Sequence, residues 1–183
     1  EKASTDRSEY RYIVLDNSLR VVLLSDPDLN KSSAAMAVGV GSLSDPKERQ
    51  GVAHFLEHML FLGTEKYPSE GEYGNYIRSH GGVSNAFTAG EYTNYHFEIN
   101  HEAFAGALDR FAQFFIAPLF TEEFTEREMN AVDSENDKNL ENDTYRIDRV
   151  QRSYFNEDHP ENHFSTGNSE TLKGIKREEF IGF

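Results

Sequence analysis

The hydrophobic period of the chain changes at Gln50, and no single class of secondary structure accommodates both sides of that change. Before it, Tyr10 to Leu15 and Leu19 to Ser25 are short strand-forming runs separated by Asp16-Asn17-Ser18, a composition suited to a tight hairpin turn. Ser33 to Val40 is small and apolar, ends at Gly41 and reads as a buried strand. After it, Val52, Ala53, Leu56, Met59 and Leu60 fall at helical spacing, and Gly63 closes a helix of about three turns. Ser69, followed by Glu70 and Glu72, predicts a capped second helix that Gly81-Gly82 stops. Strand patterns return over Val83 to Ala89 and Tyr92 to Asn100, joined by Gly90-Glu91. Phe104, Ala107, Leu108, Phe111 and Phe115 then mark an amphipathic helix over Ala103 to Phe115 that Pro118 terminates. Thr121 to about Tyr154 holds no Gly or Pro, so one long helix or two abutting ones fit. Without a regular βαβ rhythm, the expected fold class is α+β, a mixed but largely antiparallel sheet packed against helices.

Length and charge narrow the function. The 183 residues suit a single domain, with residues 1–9 as a polar N-terminal tail. The 14 Phe and 9 Tyr supply a sizeable core, which argues against a disordered acidic chain. A net charge of −14 and a pI near 4.9 disfavour nucleic acid and other anionic partners. The acidity is uneven: Thr121 to Glu161 holds 13 acidic and 5 basic residues, most of which read as a solvated helix face. The longest apolar run, Phe114 to Phe120, falls far short of the ~20 residues that span a bilayer, so no membrane span is expected. With no cysteine, any metal must be held by His, Asp or Glu. Cysteine usage leaves the compartment open between periplasm or secretion and cytosol, with periplasm the reading for a bacterial source. Glu1 to Glu9 carries no apolar signal-peptide core, and a leader upstream is compatible with a chain that does not begin with Met.

The chemistry concentrates in His54-Phe55-Leu56-Glu57-His58. Residues four apart share a helix face, so His54 and His58 can offer two imidazole nitrogens to one cation with Glu57 beside them. Two neutral imidazoles and an anionic third ligand suit catalytic zinc, and H-x-x-E-H is the inverted zincin pattern. The plain alternative is an exposed histidine pair that binds nothing. Against it stands the apolar surround of Val52, Ala53, Leu56 and Met59, which makes the His/Glu face a narrow polar stripe on a buried element. For a third ligand, His80, His96, His101, His159 and His163 are available, as are Glu128, Asp133, Glu135 and Asp137 on the acidic helix. Glu128 and Glu135 lie two turns apart on one face, and spacing alone does not choose between them. Thr125-Glu126-Arg127-Glu128 also reads as a capping box, which would occupy Glu128.

Four stretches in order, HFLEHMLFLGT (54–64), GGVSNAFTAGEYTNYHF (81–97), ALDRFAQFFIAPLF (107–120) and EREMNAVDSENDKN (126–139), resemble the pitrilysin/insulysin family of zinc metallopeptidases, its insulysin branch in particular. The resemblance runs from about Tyr10 to the end. It implies the pitrilysin-type domain fold, one Zn2+ per chain held by His54, His58 and Glu135, Glu57 as the catalytic base, and Glu128 behind the ligands. It further implies that Gly82 to Thr88 is an edge strand that pairs with an extended peptide, placing Asn85 and Ala86 beside the scissile bond. Phe61 and Phe87 would form an apolar pocket, core packing being the alternative for both, and Tyr145 would lie near the substrate cleft. Asp148 departs from an aromatic position of the family.

The resemblance therefore implies a zinc endopeptidase of peptides and small proteins. Family members of this type are several times longer, with four related α+β domains in two halves. On that comparison residues 1–183 are a truncated N-terminal catalytic domain whose partners are a peptide substrate and the C-terminal domains of a longer polypeptide, and the fragment alone is expected to be weak or inactive. Two other readings are a noncatalytic peptide-binding or assembly module and a subunit like the mitochondrial processing peptidase. The intact HFLEH and the AVDSENDKN stretch favour the insulysin-like enzyme.

Overall fold

The computed structural model describes residues 2–183. Strands β1 (Glu9–Val14) and β2 (Arg20–Ser25) form the expected hairpin, closed where Ser18 takes a left-handed backbone (φ 68°) and Leu19 N–H donates to Asn17 Oδ1 at 3.1 Å. Its partners Tyr10 with Leu24 and Tyr12 with Val22 leave one apolar face exposed. Ahead of the hairpin Ser8 is buried, and its hydroxyl donates to Asp26 Oδ2 at 2.6 Å.

A second sheet is built from β3 (Lys31–Val38), β4 (Val83–Thr88) and β5 (Thr93–Asn100) in the order β3-β5-β4. Every pairing in both sheets is antiparallel. The order leaves β4 at an edge. Tyr95, Phe97 and Ile99 of the central strand are almost wholly buried. The third strand is less buried than its composition suggests. It alternates between exposed Lys31, Ser33, Ala35 and Ala37 and half-buried Ser32, Ala34, Met36 and Val38, because helices cover only one face of the sheet.

Among the described residues there are six α-helices: α1 (Val52–Met59), α2 (Glu72–Ser79), α3 (Phe104–Gln113), α4 (Glu122–Leu140), α5 (Asp143–Arg152) and α6 (Arg177–Gly182). The buried face of α1, with Val52, Phe55 and Met59, meets Tyr95 and Phe97 of β5, Tyr73 and Ile77 of α2, Phe111 and Phe114, and Phe180 of α6 in one core. The Phe55 and Phe180 rings pack edge-on at 5.4 Å. No helix is long and apolar enough to cross a membrane among the described residues.

Two helix starts differ from expectation. Ser69 does not cap α2: the boundary residue is Gly71, and Ser69 contributes its carbonyl to Glu72 N–H at 3.1 Å. The Glu72 carboxylate instead pairs with Arg110 of α3 at 2.8 Å, tying the two helices. Thr125 does not begin a capping box either. Helix α4 starts a full turn earlier, after Thr121, and the Thr125 hydroxyl bonds back to the Thr121 carbonyl at 2.9 Å. That leaves the Glu128 carboxylate available to another partner. The stretch free of Gly and Pro resolves into two helices, with the Asn142 side chain accepting from Thr144 N–H at 2.9 Å to start α5.

Candidate metal centre and peptide cleft

Helix α1 presents a polar stripe because its other face is consumed by the core. Its N-terminus is capped from a distance: the buried Asp45 carboxylate accepts from Gly51 N–H at 2.6 Å and Ala53 N–H at 2.9 Å. Burial raises the Asp45 pKa to about 6, and the two amide bonds oppose that rise without cancelling it. On the stripe, His54 and His58 stand edge to face, with ring centroids 4.7 Å apart.

The groups behind the two rings fix which nitrogen of each faces inward. His54 Nδ1 lies 2.8 Å from the Thr166 carbonyl, which can only accept, so Nδ1 carries the proton. His58 Nδ1 lies 2.7 Å from Glu128 Oε1 and donates to that carboxylate. Both Nε2 atoms are thereby turned toward one another at 3.2 Å. Glu135 on α4 adds Oε2 at 3.4 Å from His54 Nε2 and 3.7 Å from His58 Nε2.

Three acceptors within 4.8 Å repel unless a cation or a proton sits among them. Burial opposes a proton on His58, but the hydrogen bond to Glu128 and the charges of Glu135, Glu128 and Glu57 outweigh it, so the His58 pKa is raised. A metal is the other solution. Donors of a tetrahedral zinc ion at about 2.0–2.1 Å stand about 3.3–3.4 Å apart, and the three separations here bracket that spacing. His54, His58 and Glu135 thus form a cluster able to hold a metal ion.

Glu57 shares the stripe and is only 8% exposed. One carboxylate oxygen, Oε2, accepts the Thr88 hydroxyl at 2.6 Å. Thr88 ends β4, and along that strand Ser84, Ala86 and Thr88 face inward while Val83, Asn85 and Phe87 face out. An open cleft of about 790 Å³ runs between the β4 edge and α1, bringing together His54, Glu57, His58, Phe61, Asn85 to Phe87, Glu128 and Glu135. Phe61 and Phe87 both line it but keep different aromatic company. Phe61 packs on Tyr73, Tyr95 and Phe114, whereas Phe87 packs on Tyr92. Tyr145 stands in an adjoining cavity of about 490 Å³ shared with His54, Thr88 and Glu135. Asp148 accepts from Arg152 at 2.7 Å.

The family model "Insulinase (Peptidase family M16)" matches residues 20–158, well over half of the chain. The chain belongs to peptidase family M16. It is 56% identical, over its whole length, to insulin-degrading enzyme-like 1, peroxisomal, of Arabidopsis thaliana, and 52% identical over 98% of its length to insulin-degrading enzyme of Homo sapiens. Its fold superposes on the crystal structure of pitrilysin with a TM-score of 0.91 at 41% identity, covering 96% of this chain and 19% of that one. The chain spans about a fifth of the length of these relatives. Membership of a peptidase family supports a hydrolytic function.

In this M16 chain several residues that shape the centre escape a reading of motifs. The Thr166 carbonyl holds His54 through backbone alone, so no residue type advertises it. Thr88 and Asp45 act across 31 residues and 6 to 8 residues respectively. A signal for Thr88 does exist: period-2 alternation along β4 puts it on the face of Ala86, toward the helix that carries Glu57.

Proposed function

We propose that the chain carries the metal centre and one wall of the substrate cleft of a zinc endopeptidase that cleaves peptides and small proteins. The observation that carries this reading is the convergence of His54 Nε2, His58 Nε2 and Glu135 Oε2 at separations suited to a tetrahedral ion, with the Glu57 carboxylate beside them. His54, His58 and Glu135 would hold Zn2+, which when bound supplies Lewis acidity at the scissile carbonyl.

The protein's own groups do the rest. Thr88 ties up Glu57 Oε2 and leaves Oε1 for the reaction. Oε1 takes a proton from water as the water oxygen bonds to the carbonyl carbon, then returns that proton to the amide nitrogen as the C–N bond breaks. Glu128 anchors the His58 ring and strengthens it as a donor. The unpaired edge of β4 suits an extended peptide, because main-chain pairing gives affinity independent of sequence and leaves alternate side chains to make selective contacts. Asn85 and Ala86 lie along that edge, Phe87 and Phe61 flank it with apolar surface, and Tyr145 bounds the far side. Full activity is assigned to a longer polypeptide that carries this chain.

Elemental analysis after metal loading, paired with cleavage of a quenched fluorescent peptide, tests the reading. One zinc per chain is expected, lost on His54→Ala and retained in Glu57→Gln. Chelator-sensitive cleavage that vanishes in Glu57→Gln supports the enzyme. Persistent cleavage by that variant, with contaminating protease excluded, overturns it.

A further inference from the structure

The three metal-facing donors come from two helices that are unequally anchored. Helix α1 lies in the core, whereas α4 buries only Thr125 and Val132 and nothing after them, and Leu140 at its end is 62% exposed. Glu135 therefore lies one turn past the last core contact of α4, Val132, on a stretch that buries nothing further. One polar contact between the helices, Glu128 to His58, lies nearly two turns before Glu135.

A second connection runs through an irregular segment far away in sequence. The Phe164 N–H donates to Gln50 Oε1 at 2.7 Å, just ahead of α1. The Thr166 carbonyl receives His54 Nδ1–H. Gly167 then lies so close to Gly51 that a Cβ on Gly51 would stand 2.2 Å from the Gly167 Cα. Ser169 N–H reaches Asp133 Oδ1 on α4 at 2.5 Å, and Leu172, fully buried, fixes the segment's far end. Gly167 has φ +80°, a conformation that favours glycine, and a Cβ there would stand 2.7 Å from Leu172 Cδ1.

We propose that residues 164–169 form a strap that joins the helix bearing His54 and His58 to the helix bearing Glu135, and that Asp133 is a positioning residue whose grip on the strap sets the affinity of the centre for its metal. The inference rests on the metal reading given above. Asp133 is two residues from Glu135, so a lost grip on Ser169 releases the ligand-bearing turn of α4 without touching a ligand.

Cobalt(II) titration of the metal-free 183-residue chain, followed by visible absorption, measures affinity and coordination without needing catalysis. Asp133→Ala and Asp137→Ala each remove one negative charge two residues from Glu135, but only the first breaks the strap. Asp133→Ala should weaken cobalt binding about tenfold or more, the range typical for groups that orient ligands, while Asp137→Ala should change it about twofold. Asp133→Asn keeps an acceptor oxygen and should match Asp137→Ala. Gln50→Leu, which releases the other end, should weaken binding in the same direction and carries the test if Asp133→Ala unfolds, as thermal melting of the metal-free variants will show. Equal affinities in Asp133→Ala, Gln50→Leu and Asp137→Ala overturn the strap and leave the metal centre standing. A parent chain that takes up no cobalt overturns the metal reading and the strap with it.

Discussion

The Thr88 hydroxyl donates to Glu57 Oε2 at 2.6 Å, so the strand at the open edge of the sheet also grips the carboxylate beside the His54, His58 and Glu135 cluster. Removing that donor frees the carboxylate to rotate while leaving the metal donors in place. Hydrogen bonds to charged groups are worth about 1.5–3 kcal/mol. In the active polypeptide, Thr88→Val is expected to lower kcat for peptide hydrolysis by about 10- to 100-fold with little change in KM or zinc content, and Thr88→Ser to restore most of it. Equal losses in Val and Ser variants would show that the methyl group, not the hydroxyl, matters.

The raised pKa of His58 gives the metal-free chain a pH dependence of definite sign. Protonated His58 is favoured in the folded state, so its contribution is present below the unfolded value near 6.5 and is lost as pH rises through the folded one. Urea unfolding of the parent and of Glu128→Gln from pH 5.5 to 8 checks this: the stability advantage of the parent should be largest at the acidic end and shrink as pH rises. Cobalt affinity should follow the opposite course, weakening as pH falls, because the ion and the proton compete for the same ring.

Asp45 acts over a lower window. Its folded pKa of about 6 lies above the ordinary value of 3.8, so folding takes up a proton between those limits and stability from this group falls as pH rises across them. The full shift corresponds to about 3 kcal/mol at most. Asp45→Asn cannot titrate, and the stability difference between parent and variant should decline from pH 4 to 6 in paired urea titrations. A constant difference over that range would remove Asp45 as the titrating group.

Gly51 has φ +90° and no room for a side chain against Gly167. Gly51→Ala should cost about 2 kcal/mol or more, combining left-handed strain with the overlap. Chemical unfolding of the metal-free protein measures it. Gly39→Ala, at a position where a Cβ meets nothing within 4 Å, serves as the control.

The stripe of His54, Glu57 and His58 was legible because the change of period at Gln50 placed all three on one face of an otherwise apolar helix. The hairpin followed from local patterns and the edge position of β4 from the family resemblance, while the stretch from Thr121 to Tyr154 fitted one helix or two. The sequence leaves the start of α4 open between two positions, because Thr121 and Thr125 both head acidic, helix-forming runs. What selects Thr121 is Phe120, held at φ +49° while its buried ring packs on Phe180 at 5.1 Å, a contact across 60 residues. Ser69 failed as a cap for a similar reason: the chain enters α2 only after Gly71, and Glu72 is drawn to Arg110 across the helix pair. The hold of Thr166 on His54 left no trace in residue type at all, since any amino acid supplies a carbonyl.

The uneven anchoring of α4 bears on how the protein would fail on heating. One donor, Glu135, sits past the last core contact of its helix, Val132, while the other two sit on a helix whose whole inner face is in the core. An ion held there as proposed would therefore serve as a cross-link between the interior and the periphery. Warming should then release that cross-link before the interior melts, so metal loss and unfolding would become separate events, the first reversible by cooling in the presence of metal and the second set by the aromatic core.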